Sequence, residues 1–292
     1  MKKKTIVITG GNGYIASLVK QQIHKDMNVI SITRNEVDLS NPIQVQSYIQ
    51  ALSFDYLLHT AAMANTQACE QQPDIAYRIN VESTKTLIDI CKEKNARFIF
   101  ISTEQCFNGK QKSGPFKEEE IPESVTIYGN HKITCEQYIT QHLTDYLILR
   151  FSWMFGLSFP NVKVSTNIVQ NVIHALLYHQ PTKFTVNEIR GMTYAQTFAN
   201  QFLKVLQLPT GIYHISDKNT HNTYESAKII AKMLDINQEY IDTYILADTQ
   251  RYQERFRDYR LDTSKIESYG ICFGTFEENV EQCLQDFQLL KK

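Results

Sequence analysis

Two rhythms of apolar and polar positions run through the first half of the chain. Short unbroken apolar runs at Thr5–Thr9 (T-I-V-I-T), Asn28–Thr33, Tyr56–Thr60, Arg97–Ser102 and Tyr146–Phe151 read as strands buried on both faces. Between them lie stretches of helical spacing at Tyr14–Lys25, Pro42–Leu52, Ile75–Lys94 and Ile127–His142. Strands without polar alternation, separated by helices, imply a parallel sheet; with right-handed crossovers it becomes a doubly wound α/β fold of Rossmann type. After Trp153 the rhythm loosens. Helices are predicted over Ser165–His179, Tyr194–Leu206, Tyr224–Leu234 and Phe276–Leu290, with short strands at Lys183–Asn187 and Gly211–Ser216. The stretch from Asn108 to Pro122 is polar and rich in turn residues, and a mobile loop is expected there.

Composition changes this picture little. A chain of 292 residues with 42% apolar and 21% charged residues buries enough surface to fold without a metal or disulfide. The formal net charge of −1 argues against a broad nucleic-acid surface. No apolar stretch is long enough for a signal peptide or a membrane span, so a cytoplasmic protein without a membrane partner is expected. The six cysteines form no C-x-x-C pair and read as buried, reduced thiols.

The first chemical signal is the turn after the first strand, T-I-V-I-T-G-G-N-G-Y-I-A. Gly10, Gly13 and Ala16 follow the spacing G-x-x-G-x-x-A, with Tyr14 and Ile15 opening the helix. Gly10 allows a tight turn, Gly13 lets a pyrophosphate approach the backbone, and Ala16 permits close helix–strand contact. The helix N-terminus then offers free N–H groups to the phosphates of a dinucleotide. We therefore expect residues 1–156 with 183–216 to form the dinucleotide-binding domain. Residues 157–182 with 217–292 are expected to form most of a smaller substrate domain. An acid at the end of the second strand would bind a ribose 2′-hydroxyl. This chain has Thr33-Arg34 there, and Arg34 suits a 2′-phosphate; the alternative is a solvated surface arginine. Asp38 and Leu39 are candidates for the adenine edge. NADP is the expected cofactor, with NAD as the alternative.

The second signal is Tyr128-Gly129-Asn130-His131-Lys132. On a helix the tyrosine and lysine share a face. A phenol titrates near pH 10, and a neighbouring ammonium favours the phenolate. Ile101-Ser102-Thr103 ends the preceding core strand, where ligand crevices of open α/β sheets lie. It supplies a hydroxyl to polarise a substrate oxygen. Glu104 follows and is a candidate substrate contact or proton donor, against the alternative of a solvated acid.

These residues resemble the extended short-chain dehydrogenase/reductase family over nearly the whole chain, and within it the dTDP-4-dehydrorhamnose reductases. The family pattern S-T-D-Y-V-F-D-G resembles Ser102 to Gly109, and V-Y-G-x-S-K resembles Ile127 to Lys132. R-T-S-W-V-Y-G resembles Arg150 to Gly156. His59-Thr60-Ala61-Ala62 and Asn80-Val81 match the H-x-A-A and N-V segments, placing Ala61 and Ala62 by the cofactor. Arg255 to Asp262 echoes R-P-x-x-S-x-L-D. The resemblance implies catalysis by Thr103, Tyr128 and Lys132, with Trp153 near the substrate's sugar or base, though core packing is an equal alternative for that ring. The departures are Glu104 for Asp, Gln105 for Tyr, the whole segment Asn187 to Thr193 in place of D-Q-x-G-x-P-T, and Phe256 for the late proline. Related 4,6-dehydratases carry a second acid where this chain has Gln105. An amide cannot move a proton there, so dehydration is not expected.

The implied activity is that of an oxidoreductase, an NAD(P)H-dependent reductase of a nucleotide-linked 4-keto sugar. An epimerase with bound NAD remains open, as does a noncatalytic subunit of another enzyme, like the methionine adenosyltransferase regulatory subunit. No metal is implied, and a homodimer is plausible from the family.

Overall fold

The computed structural model describes residues 3–162 and 164–290. Among the described residues there are twelve strands: β1 (Thr5–Thr9), β2 (Asn28–Ile32), β3 (Tyr56–His59), β4 (Arg97–Thr103), β5 (Tyr146–Phe151), β6 (Trp153–Phe155), β7 (Thr182–Thr185), β8 (Glu188–Ile189), β9 (Met192–Tyr194), β10 (Gly211–Ile215), β11 (Ile245–Asp248) and β12 (Arg257–Asp258). The helices are α1 (Tyr14–Ile23), α2 (Pro42–Gln50), α3 (Thr66–Gln71), α4 (Pro73–Tyr77), α5 (Ser83–Lys94), α6 (Ile127–His142), α7 (Ile168–Leu177), α8 (Ala195–Val205), α9 (Thr223–Met233), α10 (Gln238–Tyr244), α11 (Ser264–Glu267) and α12 (Phe276–Asp286). A π-helical turn spans Arg78–Glu82 and a 3-10 turn spans Glu104–Phe107.

Six strands form the main sheet in the order β10-β5-β4-β3-β1-β2, as the apolar runs predict. The pairings of β1 with β2 and β3, of β3 with β4 and of β4 with β5 are parallel. Ile6, Val7 and Ile8 are all fully buried, which is why β1 reads as an unbroken apolar run. The chain leaves β1 toward β2 on one side and returns to β3 on the other. Their carboxyl ends therefore part at a topological switch point, where open α/β sheets bind ligands.

The chain divides into two compact units. The first comprises residues 1–111, 118–151 and 199–213; the second comprises 112–117, 152–198 and 214–292. The core of the first unit gathers Val7, Leu57, Phe98, Phe100 and Ile148 from the sheet with Val45, Leu87, Ile88 and Ile139 from helices. In the second unit α7, α9 and α12 bury Val169, Val172, Ile230, Phe276 and Val280 together with Phe155 and Phe184. Paired capping boxes at Asn222/Glu225 and Thr275/Glu278 start α9 and α12. Among the described residues no helix is long and apolar enough to cross a membrane.

Three sequence expectations change. The helix predicted over Ile75–Lys94 is α4, the π-helical turn and α5 in succession, because apolar periodicity does not register one wide turn. The segment predicted as a mobile loop is tied down. Gly109 N–H donates to Glu123 O and Glu123 N–H to Cys106 O in the first unit. In the second, Gly114 N–H donates to Asp258 O and Phe116 N–H to Arg260 O, with Phe116 fully buried. Cys272 is exposed, whereas Cys69, Cys91, Cys106, Cys135 and Cys283 are buried; all six are free.

Candidate functional site

The turn after β1 has the geometry that a phosphate cradle needs. Gly10 adopts φ +69°, a left-handed conformation, and a Cβ there would lie 2.9 Å from Thr60 Oγ1 and 3.0 Å from the Ala61 backbone. Gly13 N–H donates to Gly10 O at 2.7 Å, closing the turn. Gly13 is the N-cap of α1, with no side chain capping the helix and no acid in its first turn, as an anion-binding helix start requires. Tyr14 and Ile15 are half-buried at the first turn of α1, and Ala16 is fully buried beneath it. Gly11, which the spacing argument passed over, is required by packing: its Cβ would lie 1.9 Å from Ser31 Oγ. Lys20 reaches back to donate to Gly11 O at 2.6 Å, pinning the turn from below.

Beyond β2, Arg34 is exposed. An acid does return to this corner: Glu36 accepts from Thr33 N–H at 2.7 Å and from Thr33 Oγ1 at 2.5 Å. Those bonds hold its carboxyl below the usual range. The expectation that no acid stands beside Arg34 is thus corrected. Asp38 spends both oxygens on Ser40, N–H at 2.9 Å and Oγ at 2.8 Å, and these bonds depress its pKa. Leu39 is half-buried against the core of its unit.

Across the switch point, the loop carrying half-buried Ala61 and Ala62 is held by Asn80. The Asn80 amide accepts from Met63 N–H at 2.8 Å and donates to Met63 O at 3.0 Å. Asn80 stands in the π-helical turn, and its own carbonyl accepts from Thr84 Oγ1 at 2.8 Å and Cys135 Sγ at 3.1 Å. Since the Thr84 hydrogen goes to that carbonyl, His59 Nε2 must donate to Thr84 Oγ1 at 2.9 Å. His59 Nδ1 then accepts from Thr9 Oγ1 at 2.7 Å. Burial, with the Lys132 charge nearby, pushes the His59 pKa down to about 3, so this imidazole is a neutral brace.

The fourth strand and α6 assemble the tyrosine–lysine pair. Tyr128, Lys132 and Glu136 stand four residues apart along α6 and so share one face. Thr126 caps the helix, and Glu70 accepts from Ile127 N–H at 2.9 Å. Gly129 is glycine because α6 begins hard against the 3-10 turn: a Cβ would lie 2.8 Å from Gln105 O. Lys132 is buried; its ammonium donates to Ile101 O at 2.7 Å, 4.4 Å from the Phe100 ring centroid and 5.7 Å from that of Tyr128. Burial lowers its pKa to about 8, against the pull of Cys135 and Glu136.

The Tyr128 phenol is pushed above its ordinary value, first by burial and then by the Glu104 carboxylate. Without the dinucleotide, burial and Glu104 outweigh any pull of the lysine toward the phenolate, and the phenol's pKa rises. Thr103 Oγ1 accepts from Gln105 N–H at 3.2 Å and points toward Glu104 Oε2 at 3.5 Å. Glu104 is buried, not solvated. The Gln105 amide donates to Glu104 Oε1 at 3.3 Å and accepts from Asn108 Nδ2 at 2.9 Å, serving as a strut. Ser102 is committed elsewhere, donating to Glu136 Oε1 at 2.5 Å. Cys106 donates its thiol to Thr103 O at 2.8 Å, and burial pushes its pKa up, which leaves it unreactive.

Sequence reasoning missed what stands behind this pair. Glu136 is forked to Arg150, with Nη2 to Oε2 at 2.6 Å and Nε to Oε1 at 3.1 Å, and the arginine also donates to Glu118 O at 3.2 Å. Both charges are buried, at 2% and 4% exposure, so this ion pair depends on its geometry. The four-residue step from Lys132 to Glu136 was a readable signal.

Comparison with known proteins places the chain. A family model described as the RmlD substrate binding domain matches residues 3–289. The chain belongs to that family. It is 26% identical to the spore coat polysaccharide biosynthesis protein SpsK of Bacillus subtilis (strain 168), over 84% of this chain and 82% of that one. It is 24% identical to a dTDP-4-dehydrorhamnose reductase of Aggregatibacter actinomycetemcomitans, over 91% and 93% respectively. A crystal structure of dTDP-4-dehydrorhamnose reductase from Bacillus anthracis str. Ames in complex with NADP superposes with a TM-score of 0.84 at 22% identity. It covers 98% of this chain and 99% of that one, a likeness of fold.

In the second unit, Trp153 stands beside charged and aromatic residues. Trp153 is half-buried on β6, which pairs in parallel with β9 so that Trp153 faces Met192. β8 pairs with β12, setting Arg257 opposite Glu188 and Asp258 opposite Ile189. The Arg190 guanidinium lies 5.4 Å from the Trp153 ring centroid and 5.7 Å from that of Tyr259. It pairs with Glu188, Nη2 lying 2.7 Å from Oε2 and Nε donating to Oε1 at 3.1 Å.

Proposed function

We propose that the protein is an NADPH-dependent reductase of a nucleotide-linked 4-keto-6-deoxy sugar. The observation that carries this reading is Tyr128 on one helix face with buried Lys132, beside the Thr103–Glu104 strand end of the glycine-turn sheet. Its family relatives named dTDP-4-dehydrorhamnose reductase support the reaction class, and the NADP-bound structural neighbour supports the cofactor. The first unit is the dinucleotide-binding part in this reading, and the second contributes Trp153 to the substrate.

The residues fit a dinucleotide: a cradle at Gly10 that a Cβ would fill, and an uncapped α1 N-terminus for the pyrophosphate. Arg34 would meet the 2′-phosphate. When bound, the reduced nicotinamide supplies hydride to the carbonyl carbon. Thr103 Oγ1 donates a hydrogen bond to the substrate oxygen, and Tyr128 delivers the proton as alkoxide character develops. Lys132 holds positive charge beside the phenol and stabilises the phenolate left behind. Gln105 holds Glu104 in place and takes no proton.

The test is stoichiometry. Incubation with a dTDP-linked 4-keto-6-deoxy hexose should consume one NADPH per product, and label from cofactor deuterated at its transferable position should appear in the product. Water elimination from a nucleotide hexose with no net change in cofactor absorbance would overturn the assignment.

A further inference from the structure

We propose that Arg190, clamped by Glu188, is a positioning residue that sets the plane of the Trp153 indole for the substrate. The inference rests on the proposed reading that Trp153 meets the nucleotide sugar. Its basis is a coincidence of positions. The family segment D-Q-x-G-x-P-T has glutamine and glycine where this chain has Glu188 and Arg190. The late motif R-P-x-x-S-x-L-D has serine where this chain has Tyr259. Tyr259 lies about seventy residues beyond Glu188 and Arg190 in sequence, yet the three meet at one place. The Arg190 guanidinium is held within 6 Å of the ring centroids of both Trp153 and Tyr259, at 5.4 and 5.7 Å.

Each member is fixed by its neighbours. Glu188 is buried; it accepts one hydrogen bond from Arg190 Nε at 3.1 Å and its Oε2 lies 2.7 Å from Nη2, so the cation cannot swing away without stranding a buried carboxylate. The Arg190 backbone is tethered as well, its carbonyl accepting from Asn219 Nδ2 at 2.9 Å. Gly191 has no room for a side chain, since a Cβ would lie 1.8 Å from Ser216 Oγ and 3.1 Å from Ser152 Cβ. Tyr259 is buried, and its N–H donates to Ile189 O at 2.9 Å, which locks the ring onto β8. A glycine at position 190 would present no side chain to the indole. Here a planar cation from the next strand connection does, and a guanidinium over an aromatic face both packs and attracts. Trp153 is thereby held in one orientation before substrate arrives, which lowers the ordering cost of binding. Arg190 acts through Trp153, so it governs affinity for the sugar nucleotide and not the proton transfer.

Trp153 is the only tryptophan of the chain, which makes its fluorescence a direct readout. The variants are Arg190→Gly, Arg190→Lys and Glu188→Gln in the full-length protein, each checked for an unchanged circular dichroism spectrum. The probe is dTDP-glucose, which binds without being reduced. Arg190→Gly should red-shift the emission and lower its anisotropy. It should weaken dTDP-glucose binding and raise KM for the keto sugar by roughly 3- to 30-fold, the range expected for losing one desolvated cation–aromatic contact, with kcat within about twofold. Glu188→Gln should fall between Arg190→Gly and the unmutated protein, and Arg190→Lys should restore part of the loss. Unchanged emission, anisotropy and dTDP-glucose affinity in folded Arg190→Gly would overturn the proposal. A shifted emission and weakened dTDP-glucose binding, in a protein that reduces no keto sugar, would uphold it while overturning the reductase reading.

Discussion

The surroundings of Tyr128 in the first unit and of Trp153 in the second handle charge differently. In the first, ionisable groups are stripped of water and their pKa values move: Lys132 falls to about 8, His59 to about 3, and the Tyr128 phenol rises. Around Trp153 in the second, charges are kept and matched: Glu188 with Arg190 at 2.7 Å and Asp258 with Arg260 at 2.7 Å. Moving a proton requires a group whose protonation states lie close in energy, and burial brings them together. Holding a ligand requires groups that do not change, and arginine–carboxylate pairs supply that. Chemistry and recognition thus make different demands on the same kinds of side chain.

The sharpest way to break this comparison is to remove the proton. Tyr128→Phe should lower kcat by roughly 100- to 10,000-fold, the usual worth of general acid catalysis, while NADPH affinity stays within about twofold. Turnover near that of the unmutated protein would remove Tyr128 from the mechanism. Next comes the buried Glu136–Arg150 pair of the first unit. Glu136→Ala leaves Arg150 buried and unpaired, and should destabilise the fold by about 3–5 kcal/mol in urea denaturation. A loss under about 1 kcal/mol would mean that water replaces the carboxylate and that the site tolerates charge better than its burial implies.

A smaller effect concerns pH. Lys132 titrates near 8 in the fold and at 10.5 when unperturbed. Its ammonium is present below about pH 8 and lost above, so kcat/KM should fall as pH rises through 8, well before any phenol titrates. The stability signature has the opposite sign. Burying the ammonium disfavours folding fully below pH 8, and the penalty shrinks between pH 8 and 10.5, where the unfolded chain holds more protons. Lys132→Met should abolish that rise in stability; an alkaline rate limb at pH 10 or above would refute the assignment. The smallest effect is at the end of β2. Arg34→Ala should reduce the preference for NADPH over NADH by about tenfold, the worth of one charge-assisted contact. Glu36→Gln should increase the preference, because its carboxylate shares that corner. Equal affinities for both cofactors in the unmutated protein would sink both expectations.

How far the sequence could be read follows the same division. The main sheet was legible because β1, β3, β4 and β5 are buried on both faces and leave no polar interruption. α6 and β5 run over the predicted residues, since Thr126 and the helix's spacing mark the start. The glycines announced themselves through spacing and context. What remained hidden has no period. β6, β8, β9 and β12 are two or three residues long, and pairing partners distant in sequence define them. The Arg190–Trp153 contact joins residues that no local pattern connects. The upward direction of the Tyr128 shift had no local signal, because its first cause is burial and its second is Glu104. Only the fold shows that it is buried beside the phenol.

The π-helical turn at Arg78–Glu82 has a consequence for how the chain tolerates change. A wide turn holds one residue more than an α-helix fits into the same length. Each residue rotates a helix by about 100°, so a chain lacking that extra residue would turn everything before it by more than a quarter circle. Asn80 would then swing off Met63, and its carbonyl would return to the helix ladder, deserting Thr84 and Cys135. Thr84, released from that carbonyl, would no longer fix the His59 tautomer. Single-residue deletions are ordinarily absorbed by loops. Here one inside a helix, far along the chain from Tyr128, would break the bond by which Cys135 of α6 rests on Asn80.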